Sequence, residues 1–331
     1  MSRRTRPLAA LVVLAGLVLG GCGSYDDTVV PPPEASETTP AAPATTPAAC
    51  VNDTNPTRTY EPTVPLPSPG DFIPSSTMAE IYERGRLIAG VSADTFLLAS
   101  NNPFTGQIEG FDIDMVEQVA EAIFGDPKAY ELRVITAGDR LTVLQEQTVD
   151  IVVRNMTINC VRWQSIAFSA EYYRSGQKIL VRSDLADATG PVVDTPAELA
   201  DLRVCAPLGT SSLDNIKRES PEAEIVTATN HTGCLALFQQ GAVDAITGDD
   251  TVLAGLATQD PYAVVPEQEA FSAEPYGIGV NAGDVDLVRF INGVLERMRA
   301  DGRWKASYEK WLAPTLGGGA TQPRPVYGRV P

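Results

Sequence analysis

Residues 110–125 read GFDIDMVEQVAEAIFG, and their spacing decides the fold class. Val116, Val119, Ala120, Ile123 and Phe124 recur three and four residues apart, the single apolar stripe of a helix lying on a sheet. Asp112 is the expected cap and Gly125 the expected stop. On one side stands RLIAGVS (86–92) and on the other ELRVIT (131–136), both short and rich in strand-forming residues. Strand, helix, strand is the unit of an α/β fold with parallel strands. The pattern continues through a helix from Asp139, a buried strand VDIVV (149–153) and a strand QKILVRS (177–183).

A second unit begins at Thr195-Pro196-Ala197-Glu198, a capping box with proline in the first helical position. After it come RVCAPL, SSLDNIKRE, EIVTA, CLALFQQG, VDAIT and DTVLAGLA, again alternating strand and helix. YGIGV (276–280) then leads to a long last helix whose buried face is Leu287, Phe290, Ile291, Val294, Leu295 and Met298. Two α/β units of about a hundred residues each are expected. If the last helix rejoins the first unit, the chain must cross between units twice, and the two crossing strands form a hinge, expected near 180–182 and 273–276.

The ends carry different signals. Arg3, Arg4 and Arg6 precede an apolar run, 8–19, that is too short for a comfortable membrane span. Leu19-Gly20-Gly21-Cys22 follows and resembles a bacterial lipobox, which implies cleavage of a 1–21 signal peptide and a diacylglycerol on Cys22. Residues 22–76 are rich in Pro, Thr and Ala and poor in core-forming residues, so they are expected to be a disordered tether. Residues 314–331, with GGG and PRP, are expected to be a second unstructured end. Without the leader the charge is 22 − 42 = −20, which argues against nucleic acid or anionic lipid as partner. It leaves an anionic ligand open, because a local pocket can oppose the global sign.

Four further cysteines, Cys50, Cys160, Cys205 and Cys234, favour two disulfides in an exported chain. Their spacing fits no zinc pattern, and His231 is the single histidine. No metal, no cofactor and no Ser-His triad is therefore expected.

Five segments in order, GQIEGFDIDMVEQVA, DRLTVLQEQTVDIVV, NMTINCVRWQSIAFSAEYY, VCAPLGTSS and GAVDAITGDD, give the chain a family likeness over about 78–312. It resembles the polar amino-acid solute-binding proteins of ABC importers, nearest to glutamate/aspartate/glutamine-type binders of an actinobacterial lipoprotein subgroup. The resemblance implies a type II periplasmic-binding-protein clamshell, with lobe 1 (77–181 and 274–313) interrupted by lobe 2 (182–273). It also implies a Cys205–Cys234 bridge, closing a loop that should contribute roughly 3 kcal/mol. Cys50 and Cys160 are then left for each other.

The resemblance assigns Arg162 to the ligand's α-carboxylate, and a guanidinium suits it because its planar fork meets both oxygens. Thr157 matches a hydroxyl ligand. Asn155 stands where a small residue offers its backbone. Both lie on a loop after a buried strand, where open α/β sheets bind ligands. Gly209, Thr210 and Ser211 sit between strand and helix, where free N–H groups attract an anion and where Thr and Ser also serve as ordinary caps. Asp249 matches the aspartate that takes the ammonium, and Asp250 beside it reads as a helix cap.

Arg140 opens a predicted helix, where the dipole disfavours a cation. The acidic-amino-acid binders have an arginine in this place, 22 residues before the carboxylate arginine, as here. Arg154 is a second candidate cation or a solvent-facing strand end. Phe96 is either an aromatic under the ligand or core.

The expected protein is therefore no enzyme. It is a monomeric, lipid-anchored binder at the outer face of the cytoplasmic membrane, delivering glutamate or aspartate, with glutamine and asparagine as amide alternatives, to an ABC permease. The alternative partner is a membrane signalling receptor.

Overall fold

The computed structural model describes residues 55–186 and 193–330. The expected signal peptide, Cys22, Cys50 and the part of the expected tether before residue 55 lie outside the described residues. Two sheets organise the rest. In lobe 1, Leu87–Val91 pairs in parallel with Tyr130–Val134 and Ile151–Val152, and Gly279–Asn281 runs antiparallel between Ile151–Val152 and Ile166–Phe168. In lobe 2, Arg203–Pro207 lies between Glu224–Ala228 and Ala245–Asp249, all parallel. The long strand Tyr173–Arg182 joins this sheet antiparallel to Ala245–Asp249.

The helix Phe111–Phe124 buries Val116, Val119, Ala120 and Ile123 against lobe 1, as the periodicity requires. The last long helix, Val285–Asp301, puts Leu287, Phe290, Ile291, Val294 and Met298 into the same core as Leu87 and Val91. The chain thus returns to lobe 1 after building lobe 2. Asp112 does not cap the first of these helices. Gly110 precedes the helix, and Asp112 is buried within it, accepting hydrogen bonds from the Asn155 N–H (2.8 Å) and the Tyr172 hydroxyl (2.7 Å).

The hinge lies earlier on its first strand than expected. Residues 180–182 are already inside lobe 2, with Leu180 opposite Ile246 and Val181 opposite Ala245. The crossing is at the start of the strand, where Tyr173 pairs with Tyr276 and Gly176 with Ala273. One ten-residue strand, Tyr173–Arg182, serves both as linker and as sheet member, so the apolar run QKILVRS marks only its lobe 2 half.

The largest departure is at the ends. Residues 55–76, expected in the tether, and 314–330, expected as a loose tail, pack on lobe 1 and on each other. Thr59 donates its N–H to the Val326 carbonyl, and Arg329 returns one to Thr59, both at 2.9 Å. Thr59 Oγ1 donates to the Phe168 carbonyl, and Asn292 Nδ2 donates to that of Tyr60. Phe72 meets Phe290 edge-on, and Arg329 lies 3.8 Å over the Trp163 ring. The average composition of 22–76 hides these few anchors. Gly293 is the local signal: a Cβ there would stand 2.4 Å from the Thr63 carbonyl oxygen, so the helix is bare where the chain crosses it.

Cys205 and Cys234 form a buried disulfide that ties the first lobe 2 strand to the helix His231–Gln239. Cys160 is also disulfide-bonded, and its expected partner Cys50 lies outside the described residues. No helix among the described residues is long and apolar enough to cross a membrane.

Candidate functional site

The carboxyl ends of the lobe 1 and lobe 2 strands face each other, and the expected residues meet there. Arg140 opens the short helix Arg140–Gln145 and is 3 % exposed. Its Nε donates to the Ala137 carbonyl (2.8 Å), Nη1 to those of Arg154 and Asn155, and Nη2 across the cleft to Gly209 (3.0 Å). Arg162 is also buried, with Nη1 on the Thr157 carbonyl (2.6 Å) and Nη2 directed at the same Gly209 oxygen (3.4 Å). Two buried guanidiniums from lobe 1 therefore converge on one acceptor position in lobe 2. Burial, reinforced by the Arg162 and Arg154 charges, pushes the Arg140 guanidinium down, with Asp249 opposing.

Arg154 is buried, not solvent-facing. Its Nε donates to Ile135, and Nη2 reaches Asn230 Oδ1 in lobe 2 at 3.1 Å. Asn230 in turn donates to Asp94, which also accepts from Thr232, so a second polar bridge joins the lobes beside the first. The main chain of Asn155 is engaged within lobe 1, its N–H by Asp112 and its carbonyl by Arg140. It adopts φ 34°, a left-handed conformation that asparagine tolerates better than most residues.

In lobe 2, Thr210 is a helix cap: its Oγ1 accepts from the Leu213 N–H and donates to the Pro207 carbonyl. Ser211 faces Thr157 across the cleft, with the two hydroxyl oxygens 3.0 Å apart. Gly209 must be glycine here. It has φ +70°, and a Cβ would lie 2.8 Å from Gly138 Cα in the opposite lobe. Phe96 is 44 % exposed and is not core.

Asp249 is 3 % exposed, and its Oδ1 has no hydrogen-bond partner among the described residues, while Oδ2 accepts from the Tyr276 hydroxyl at 2.7 Å. Burial, then the nearby Glu274 charge, push its carboxyl up to about 8, against the Tyr276 hydrogen bond and Arg140. Asp250 is not the expected cap: Asp249 stands at the cap position and Asp250 is the first residue of the helix Asp250–Ala257, its Oδ1 accepting from Ser175 on the crossing strand and from the Thr251 N–H.

Sequence reasoning missed Glu274, Asp112, Asp94, Asn230 and Tyr276. Glu274 is the most consequential of these. It is 1 % exposed on the returning strand Ser272–Tyr276, among residues of both lobes. The signal available was an acid beside Pro275 in a strand otherwise leading into the apolar YGIGV.

The arrangement offers guanidiniums for a carboxylate and a buried, half-satisfied carboxylate for a cation, close enough for their charges to act on each other. A zwitterion fits both at once. The comparisons agree with that chemistry. A family model described as bacterial extracellular solute-binding proteins, family 3, matches residues 87–314. The chain is 34 % identical to the ABC transporter glutamine-binding protein of Bacillus subtilis, over 71 % of this chain and 84 % of the relative. It is 30 % identical to a glutamate-binding protein of Corynebacterium efficiens, over 77 % and 86 %. Among solved structures, an ancestral arginine-binding protein bound to glutamine superposes with a TM-score of 0.63 at 28 % identity, covering 69 % of this chain and 98 % of that one. A mutant of ArgBP from T. maritima gives 0.64 at 27 % identity, over 71 % and 99 %. The two-lobed α/β architecture is that of type II periplasmic binding proteins.

Proposed function

This chain belongs to the bacterial extracellular solute-binding proteins, family 3, and on that footing we propose that it captures glutamate or aspartate and delivers it to an ABC importer. Glutamine and asparagine are the amide alternatives. The observation that carries the reading is the convergence of Arg140 and Arg162 on one buried acceptor position, with Asp249 Oδ1 buried and unmatched nearby. Arg162 takes the α-carboxylate, Asp249 the ammonium, and Arg140 the side-chain carboxylate. A buried charge needs a partner of opposite sign, and a ligand with two carboxylates and an ammonium offers one to each of these three groups. The protein acts by binding and closure, not by catalysis. The ligand is shared between lobes, so its contacts favour the closed arrangement.

Relatives named for glutamine and glutamate binding support the cargo class. The LGGC segment supports anchoring through Cys22 at the outer face of the cytoplasmic membrane. Calorimetric titration of the purified full chain with L-glutamate, L-aspartate, L-glutamine, L-asparagine and L-arginine tests the cargo. Saturable binding of an acidic amino acid, tighter than its amide, is expected. Preference for arginine, or no binding, would refute the reading. Release of the protein from membranes by Cys22→Ser is the corresponding test of the anchor.

A further inference from the structure

Glu274 is a fully buried acid with four donors on it and, among the described residues, no cation hydrogen-bonded to it. Oε2 accepts from Thr157 Oγ1 and from Ser211 Oγ, each at 2.6 Å. Oε1 accepts from Asn215 Nδ2 at 2.9 Å and from Ser272 Oγ at 2.7 Å. The donors come from the lobe 1 ligand loop, the head of a lobe 2 helix and the hinge strand itself. A hydroxyl has a single proton to give. Thr157 and Ser211 both spend theirs on Oε2, because a carboxylate only accepts and the charge-assisted bond is the stronger one. Their own oxygens nonetheless stand 3.0 Å apart across the cleft. That edge of the triangle then holds two sets of lone pairs and no proton.

We infer that Glu274 is a positioning residue for the ligand's ammonium: by taking the Thr157 and Ser211 protons, it turns both hydroxyls into acceptors for N–H donors. The inference rests on the reading of the ligand as an α-amino acid. The ammonium would then be met by three acceptors, Thr157 Oγ1, Ser211 Oγ and the unpartnered Asp249 Oδ1. Its N–H groups would supply the protons that the Thr157–Ser211 edge lacks. Glutamine cannot replace Glu274. Its amide nitrogen at the Oε2 position would donate to the two hydroxyls and turn their protons toward the ligand. At the Oε1 position it would oppose the Asn215 amide.

The test compares pairs of ligands that differ only in the ammonium: L-glutamate with glutarate, and L-glutamine with 4-carbamoylbutanoate. The full chain and its Glu274→Gln variant are titrated with all four. The unsubstituted chain should prefer the amino acid in whichever pair it binds. In Glu274→Gln that preference should shrink by roughly tenfold, the scale of one lost hydrogen bond to a charged group, with the des-amino ligand little changed. Equal weakening of both members of a pair would overturn the inference, since it would mean a structural role alone. Should Glu274→Gln not fold, Ser211→Ala and Thr157→Val must each narrow the preference, and an unchanged ratio in both overturns it. If the unsubstituted chain binds no amino acid, the functional reading itself is wrong and this inference falls with it.

Discussion

The two halves of the cleft solve opposite electrostatic problems by different means. On the lobe 1 side, Arg140, Arg154 and Arg162 are buried cations whose N–H groups already have acceptors, mostly backbone carbonyls. Facing them, Asp249 is a buried acid whose carboxyl is pushed up by burial and then by the Glu274 charge, and its Oδ1 has no hydrogen-bond partner among the described residues. Backbone carbonyls are neutral and fixed, so they can hold a guanidinium ready without cancelling its charge. Asp249 has only the Tyr276 hydroxyl as a donor, and its carboxyl is pushed up to about 8. On the proposed reading, the half that meets carboxylates is preorganised, while the half that meets the ammonium is completed by its ligand.

The strongest way to break this contrast is to remove a cation. Arg162→Ala should weaken every amino acid, because all share the α-carboxylate, by about 2–5 kcal/mol. Calorimetry with acidic and amide ligands side by side should show similar losses. Arg140→Ala should cost glutamate or aspartate a comparable amount and the amides distinctly less. Equal losses for glutamate and glutamine would leave an amino-acid binder without an acidic preference.

The carboxylate half responds to pH instead. If the ammonium needs ionised Asp249, affinity should rise by about tenfold per pH unit below 8 and level off above it, with proton release on binding. Titration in buffers of different ionisation enthalpy measures that release directly. The unliganded stability carries the opposite sign. The folded state holds the Asp249 proton up to about pH 8, whereas the ordinary value is 3.8, so Asp249's contribution falls as pH rises through that interval.

The smallest expected effect concerns the seam between the halves. Gly209→Ala places a methyl 2.8 Å from Gly138 Cα only when the lobes meet. It should weaken all ligands alike, by about 1–2 kcal/mol, through hindered closure. Small-angle scattering with saturating ligand should then show less compaction than the unsubstituted chain.

Much of this could be read from the chain alone. Periodicity at Val116, Val119, Ala120 and Ile123 and at Leu287, Phe290, Ile291 and Val294 determined the helices and their buried faces, because a helix's apolar spacing is a local property. Local order likewise placed Arg140 and Ser211 at the starts of helices and Asp249 after a strand, while the roles of Thr157, Arg162 and Asp249 came from the family likeness. Other features depend on partners distant in sequence. Glu274 gains its meaning from Thr157 and Ser211, which lie 117 and 63 residues away. Asp112 has the sequence position of a cap, but its carboxylate is taken by the Asn155 N–H and the Tyr172 hydroxyl. The segments around Thr59 and Val326 looked structureless because each lacks a core of its own, and they are ordered by pairing with each other on lobe 1. Local spacing determines which face of an element is buried, but a hydrogen bond needs two groups in one place, and only the folded chain decides which groups meet.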